Sequence, residues 1–348
     1  MKPYHDTFSR FVDLIKNRRK DTTVMALIID SPWLPGYTGV NTFDFYFDQG
    51  TWMDAHIRVL NDLPGVAFVP GSWIEFGMAA EPSGWGVPIR WSPSSPPSIK
   101  HVPGGLEALL EAELPDPEKD GLMPVILRQY KRYGPPLAER GIEPRMAAAR
   151  GPLAVASHLL GVSELLMAMH TEPEDCLALL TSTTDLCIRW LNAQLNRMTE
   201  PVGILVLDDL VGMMGPADAE IFAFPFLKRI FKAFPGLIHI FHNDTPNEAV
   251  YGGLAGTGMD VFNFTHRTSV ERARELVGPD IVLMGNVPPL DILVRETPET
   301  VRKETEILMH KAAACGPVLV SCGGGVSPGT PIENLQAMAD VVHSHTAG

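Results

Sequence analysis

The chain predicts a (β/α)8 TIM barrel, a single domain of eight parallel strands alternating with helices, and three observations carry that prediction. Eight short apolar runs recur along the 348 residues, at 24–29, 65–69, 145–149, 203–207, 237–241, 259–264, 281–284 and 317–321. Most are continuous rather than alternating, as strands covered on both faces are. Helical patterns separate the later runs, and several runs stop in a polar or glycine-rich cluster. In such a barrel the residues just past the strands converge on one mouth, so clusters scattered along the chain can form one site.

Taken in order, the N-terminus Met1-Lys2-Pro3-Tyr4-His5 has no apolar stretch of the secretory type. No apolar run nears the roughly 20 residues that a membrane span needs, so a cytoplasmic location is expected and no membrane contact. The run Lys16-Asn17-Arg18-Arg19-Lys20 is a dense positive patch and reads as a solvated helix end, where cations complement the helix dipole. Strand one leads into Asp30-Ser31-Pro32-Trp33. After strand two, residues 71–125 are rich in Pro, Gly, Ser and Trp and read as a mouth-loop insertion. Strand three is followed by 152–198, expected to hold two helices that also elaborate the mouth.

Strand four ends at Asp208-Asp209 and strand five at His242-Asn243-Asp244. Strand six leads to Thr265-His266, strand seven to Gly285-Asn286, and strand eight to Gly323-Gly324-Gly325. Between them lie helical patterns at 216–234, 246–254, 269–276, 298–314 and 331–343. Several open with Pro, whose missing N–H costs nothing in a first helical turn. Right-handed β-α-β crossovers repeated eight times close into a barrel.

Composition narrows the function classes. With 45% hydrophobic and 20% charged residues the chain can bury a large core. A formal net charge of −13 argues against a nucleic-acid surface, which needs a local excess of Lys and Arg. Cysteines 176, 187, 315 and 322 show no C-x-x-C spacing, as expected of a reducing compartment. Cys176 and Cys187 read as helix packing, and only Cys322 lies where chemistry can occur. Barrels often dimerise, so a homodimer is an open expectation.

The residues able to carry chemistry sit at strand ends. Asp208 and Asp209 emerge where a buried strand stops, and His242 and Asp244 follow on the next strand with a spacing that can aim both side chains to one side. Carboxylates and an imidazole on adjacent strands suit a divalent metal or a general acid–base pair, with Glu75 a further ligand from the second loop. The plainer reading is that a strand-end Asp caps a helix and that His242 makes a local hydrogen bond. Gly324 allows close backbone approach to a ligand, and Asn286 either orients substrate or fixes a turn. Of the aromatics crowded between residues 33 and 91, Trp33 and Trp73 directly follow strands and are expected in the pocket, the rest in lid packing.

Three segments together resemble the uroporphyrinogen decarboxylase superfamily over nearly the whole chain. They are Phe241-His242-Asn243-Asp244, Leu283-Met284-Gly285-Asn286-Val287-Pro288-Pro289-Leu290 and Gly329-Thr330-Pro331-Ile332-Glu333-Asn334-Leu335. The superfamily's decarboxylases carry arginines after strand one that pair with substrate propionates. Here that place reads Asp30-Ser31-Pro32-Trp33-Leu34-Pro35-Gly36-Tyr37, without arginine, which disfavours porphyrinogen decarboxylation. The thiol-methylating branch binds zinc through a His-x-Cys pair and a later Cys. This sequence keeps His242 but has Asp244 for the first Cys, and Gly324 falls at the later position with Cys322 two residues before it. A harder nitrogen and oxygen set remains.

The resemblance therefore implies a methyltransferase component of the O-demethylase type. It moves a methyl group from a methoxylated aromatic donor to the Co(I) corrinoid of a partner protein. It implies zinc or a similar divalent metal on His242, Asp244 and Glu75, with Asp208 and Asp209 beside them, or else a protonated Asp or His at the ether oxygen. Substrate contacts are expected from Asp30, Trp33, Trp73, Asn286 and Gly324. The D-x-H-x-x-G corrinoid signature is missing, since Asp54-Ala55-His56 is followed by Ile57-Arg58-Val59. Two alternatives stand beside this reading: a metal-free decarboxylase or lyase of a small acid that uses Asp30, and a binding barrel without chemistry.

Overall fold

In a computed structural model the described residues are 2–20 and 22–346, so Met1 of the expected N-terminus and the last two residues of the expected domain lie outside them. Eight parallel strands form at the expected places: β1 Val24–Ile28, β2 Ala67–Val69, β3 Met146–Arg150, β4 Gly203–Leu207, β5 Ile238–Asn243, β6 Val261–Phe264, β7 Val282–Val287 and β8 Val318–Cys322. Their order is β2-β1-β8-β7-β6-β5-β4-β3, with parallel ladders at each step. The ring stays unladdered only between β2 and β3 among the described residues. It is a (β/α)8 barrel with one seam open.

Alternation along each strand splits the core in two. Val24, Ala26 and Ile28 of β1, Met146 and Ala148 of β3, Leu205 and Leu207 of β4, and Ile238 and Ile240 of β5 belong to the inner cluster. Their outward neighbours, such as Met25, Ala147, Val206 and Phe241, pack under the helices. The N-terminal helix Lys2–Asn17 closes the barrel floor with Phe8, Phe11, Leu14 and Ile15, which join the inner cluster. The ionisable groups therefore gather at the opposite, C-terminal end.

Several expected boundaries move for identifiable reasons. β5 runs on to Asn243 and β7 to Val287, because the register pairs His242 with Asn263 and Asn286 with Ser321. His242 and Asn286 are thus strand residues, held more firmly than loop residues would be. The segment 152–198 holds three helices rather than two, Pro152–Leu160, Val162–Thr171 and Pro173–Leu195. Gly161 at φ +106° breaks the first pair, a backbone conformation that favours glycine. The expected helix 216–234 splits at Ala223 into Pro216–Phe222 and Phe224–Lys232, since Pro225 cannot continue a helical ladder. The 246–254 pattern shortens to a tight turn and Tyr251–Ala255.

The 71–125 insertion carries structure of its own. Ile89–Arg90 pairs antiparallel with Ser98–Ile99, a helix spans Gly105–Glu111, and the crossover helix Met123–Ala138 begins inside it. Phe47, Phe76 and Trp91 pack on one another there, with ring centroids 5.2 Å apart for Phe47–Trp91 and 6.0 Å for Phe76–Trp91. Among the described residues no single helix is long and apolar enough to cross a membrane.

The floor gives a stability test. Phe11 is fully buried, and truncating such a side chain leaves a cavity that the rigid ring cannot fill. F11A should lower the unfolding free energy by about 3–5 kcal/mol in denaturant titrations. A loss under about 1 kcal/mol would mean that the helix does not plug the barrel.

Candidate active site at the barrel mouth

Alternation also decides which member of the Asp208–Asp209 pair reaches the lumen. Leu205 and Leu207 point inward, so Asp209 continues the inner row and Asp208 turns outward. Asp208 is fully buried, and its Oδ2 accepts the Leu153 N–H at 3.0 Å, capping helix Pro152–Leu160. A Cβ at Gly151 would collide with that carboxylate. Asn243 Nδ2 donates to the Asp208 carbonyl at 3.0 Å. Asp208 is therefore a cap rather than a reacting group, and it caps the helix after β3 rather than its own. Burial pushes its carboxyl up to about 8, Asp209 adds to the rise, and the amide N–H groups oppose it.

His242 continues the inner row of β5 and is 7% exposed. Its Nδ1 lies 2.6 Å from Asn263 Oδ1, while Asn263 Nδ2 donates to the Met284 carbonyl at 2.9 Å. That second bond fixes the amide, so Asn263 Oδ1 is the acceptor and Nδ1 of the histidine carries the hydrogen. In the neutral ring Nε2 then bears the lone pair. It faces Asp209, with 3.6 Å between Nε2 and Asp209 Oδ1. The same Oδ1 accepts the Asp244 N–H at 3.2 Å, which draws the rim residue toward the ring.

One ligand atom from each of Asp209, His242 and Asp244 lies within 4.8 Å of the others. An imidazole whose far nitrogen is tied to an amide oxygen, next to two carboxylates, is a donor set suited to a divalent ion. Asp244 is exposed at the rim, yet the wall around it raises its carboxyl above the usual range through desolvation, opposed first by His242. Gly324, at φ +123°, presses against it, and a Cβ there would sit 2.6 Å from Asp244 Oδ2. The expected substrate contact Gly324 thus makes room for a carboxylate. Cys322 is buried and donates from Sγ to the Gly324 carbonyl at 3.2 Å. Burial pushes its thiol up to about 12, so it supplies no thiolate.

The structure does not bring Glu75 into this set. Its Oε1 accepts the Ser31 N–H at 3.0 Å and its Oε2 accepts the Gly77 N–H, so it ties the loops after β1 and β2 together. Beside it Asp30 is pushed up to about 7, by burial first and then by Glu75, against the pull of Arg150 and His242. Trp33 is also corrected: it is 1% exposed, stacks on Tyr37 at 4.6 Å and donates from Nε1 to the Thr330 carbonyl. It packs the wall behind the mouth. Asn286 spends its Nδ2 on the carbonyls of Thr265 at 3.2 Å and Thr268 at 2.6 Å, fixing the neighbouring loop. Trp73 does reach the inner cluster, under the Arg150 guanidinium at 5.7 Å.

Two residues of this mouth were not singled out from the sequence. Asn263 is the only polar residue in its strand Val261-Phe262-Asn263-Phe264, on the inner parity. Arg150 closes β3 two residues past the inward Ala148. Counting inward positions past each apolar run would have found Arg150, whereas Asn263 lies inside the run 259–264 and shows its role only through the β5–β6 register.

A ring of parallel strands with ionisable groups gathered beyond their C-terminal ends is the construction of a barrel enzyme. The model of the uroporphyrinogen decarboxylase (URO-D) family matches residues 37–345, and the chain belongs to that family. It is 29% identical over 240 residues to the uroporphyrinogen decarboxylase of Anaeromyxobacter sp. (strain Fw109-5), a match that covers 67% of this chain and 66%, just under two thirds, of that protein. It is 26% identical over 306 residues to the methylated-thiol–coenzyme M methyltransferase of Methanosarcina mazei, across 83% of this chain and 78% of that one. A solved methyltransferase from Methanosarcina mazei superimposes with a TM-score of 0.83 at 18% identity, over 97% of this chain and 98% of that chain, which establishes the shared barrel.

The buried cap predicts a pH effect. Because the folded carboxyl of Asp208 titrates at about 8, well above an unfolded Asp at about 4, folding favours its protonated form. That contribution is complete below about pH 4 and is lost as pH rises through about 8. D208N keeps an acceptor for Leu153 and carries no charge. Its melting temperature should fall less than that of the wild type between about pH 5 and pH 8. Equal slopes would show that Asp208 stays ionised throughout.

Proposed function

We propose that the chain is a methyltransferase that takes a methyl group from a methoxylated aromatic and passes it to the Co(I) corrinoid of a separate protein. One observation carries the reading: Asn263 locks His242 so that Nε2 is turned toward Asp209, with Asp244 drawn alongside. A family that contains a methylated-thiol–coenzyme M methyltransferase supports methyl transfer as the reaction class. Because the D-x-H-x-x-G signature is missing, the reading assigns the corrinoid to a partner protein.

The chemistry to be solved is a weak leaving group. Attack of Co(I) on the methyl carbon forms a cobalt–carbon bond as the carbon–oxygen bond breaks. The electron pair goes to the aryl oxygen, and cobalt is formally oxidised to Co(III). A divalent metal held by Asp209, His242 and Asp244 would supply Lewis-acid polarisation of the ether oxygen. Asp30, pushed up to about 7 and within the field of His242, can hold a proton at neutral pH and deliver it to the departing phenolate. Asn263 holds the histidine ring in its tautomer throughout. With no arginine between Asp30 and Tyr37, the segment after β1 lacks the partners that a many-carboxylate tetrapyrrole needs.

Elemental analysis of chelator-washed and reloaded protein, paired with an assay for methylation of Co(I) corrinoid from a panel of methoxyarenes, tests the reading. About one divalent ion per chain with methyl transfer is expected. H242A should remain folded by circular dichroism and lose both metal and transfer, and N263A should weaken metal binding roughly 10–100-fold. Full transfer by H242A would refute the assignment. No metal and no transfer in the wild type would leave the small-acid lyase.

A further inference from the structure

Arg150 is a cation at this mouth, and its position is fixed by the barrel. Met146 and Ala148 point into the interior, so Arg150 extends the same inner row. Its side chain is 9% exposed and rests on Trp73, with Cζ 5.7 Å from the ring centroid. Its hydrogen bonds run through the main chain: the N–H donates to Glu81 Oε1 at 2.8 Å, and the carbonyl accepts from Cys187 Sγ at 3.0 Å. Among the described residues the guanidinium itself makes no hydrogen bond and no ion pair. Its five donors, set in a planar fork, therefore have no acceptor among those residues, and none of them is fully enclosed, so they stay open to a ligand.

The surrounding carboxylates do not fill that role. Glu75 is held by the N–H groups of Ser31 and Gly77, and Glu81 by the main chain of Arg150 itself. Asp30 feels the Arg150 charge without bonding to it. On the other side His158, pushed down to about 4 by burial and then by Arg150, adds no positive charge near neutral pH. A small cavity beside Arg150 is walled by Trp73, Glu81, Trp190 and Gln194. A guanidinium with no acceptor in the protein is free to take one from a ligand, and its planar fork matches a carboxylate with two parallel bonds.

Register sets the distance to the other pole of the site. Arg150 pairs with Leu207, and Leu207 pairs with His242. The two lumen-facing side chains therefore start level with each other, two strand spacings or about 10 Å apart. One aromatic ring carrying a carboxylate at one end and its reacting substituent at the other spans such a gap. We infer that Arg150 anchors a carboxylate borne by the substrate and makes the site select carboxylated aromatic ligands over neutral ones. The inference takes the location of the site from the reading above but not its reaction.

Calorimetric binding of para-methoxybenzoate and of its neutral amide to the full chain, chelator-treated and without corrinoid, tests this. The wild type should prefer the acid by about tenfold or more. R150M should erase that preference and leave the amide affinity within a few-fold, whereas a merely structural counter-ion would weaken both ligands alike. R150K, which keeps the charge but loses the fork, should fall between them, and it carries the test if R150M does not fold. A preference that persists in R150M, or a wild type that binds the acid no better than the amide or not at all, would overturn the anchor. Acid preference without methyl transfer would remove the methyltransferase and leave the anchor, and methyl transfer without acid preference would do the reverse.

Discussion

Two-residue alternation along parallel strands decides which side chain of every neighbouring pair reaches the lumen, and the chemistry of this mouth depends on it. The same parity that fills the interior with Leu205, Leu207 and Ile240 delivers Asp209 and His242 to one space. It also sends Asp208 into the layer between sheet and helices, where its carboxyl group caps the helix after β3. Adjacent and chemically identical residues thus receive different tasks. A slip of one residue in the β4 ladder would exchange them and turn the whole inner row of that strand outward. The register is therefore set by the core, and the site inherits it.

The barrel was legible because strands buried on both faces have little freedom in composition. Continuous apolar runs separated by helical periods define eight strands almost without reference to anything else. What could not be read lay where tertiary contacts overrule local pattern. Glu75 looked like a ligand beside the mouth, but the path of the long insertion aims its carboxylate at two main-chain N–H groups. Trp33 follows β1 directly, yet the next short helix turns it onto Tyr37 and Thr330. The split of 152–198 into three helices was readable in Gly161 and Pro173, whereas the polar partner of His242 required knowing that β5 and β6 pair in register.

Electrostatically the mouth is two linked regions rather than one. Asp209, His242 and Asp244 form an acidic pole able to concentrate a cation. Asp30, Glu75, Glu81 and Arg150 form a second, more deeply buried pole, in which desolvation raises Asp30 and Glu81 above the usual carboxyl range and Arg150 opposes the rise. Asp30 senses both Arg150 and His242. A ligand lying between the poles would touch a group that holds a proton near neutrality, one that holds a positive charge, and an imidazole flanked by two carboxylates. Such separation of roles within a single lumen suits a substrate with two different ends.

Asp244 and Gly324, two positions at which the chain departs from the thiol-methylating pattern, lie against each other. Gly324 has no Cβ, and one built there would stand 2.6 Å from Asp244 Oδ2. A side chain at 324 would make the Asp244 carboxylate swing aside, and the φ of +123° there favours glycine on its own account. Cys322 cannot compensate, because its thiol is buried against the Gly324 carbonyl and held protonated. What the backbone then offers is one imidazole and two carboxylates, a set that favours harder ions than thiolates do. In the proposed reading that set matches an oxygen-linked donor, because an oxygen-bound methyl group calls for a harder Lewis acid than a sulfur-bound one.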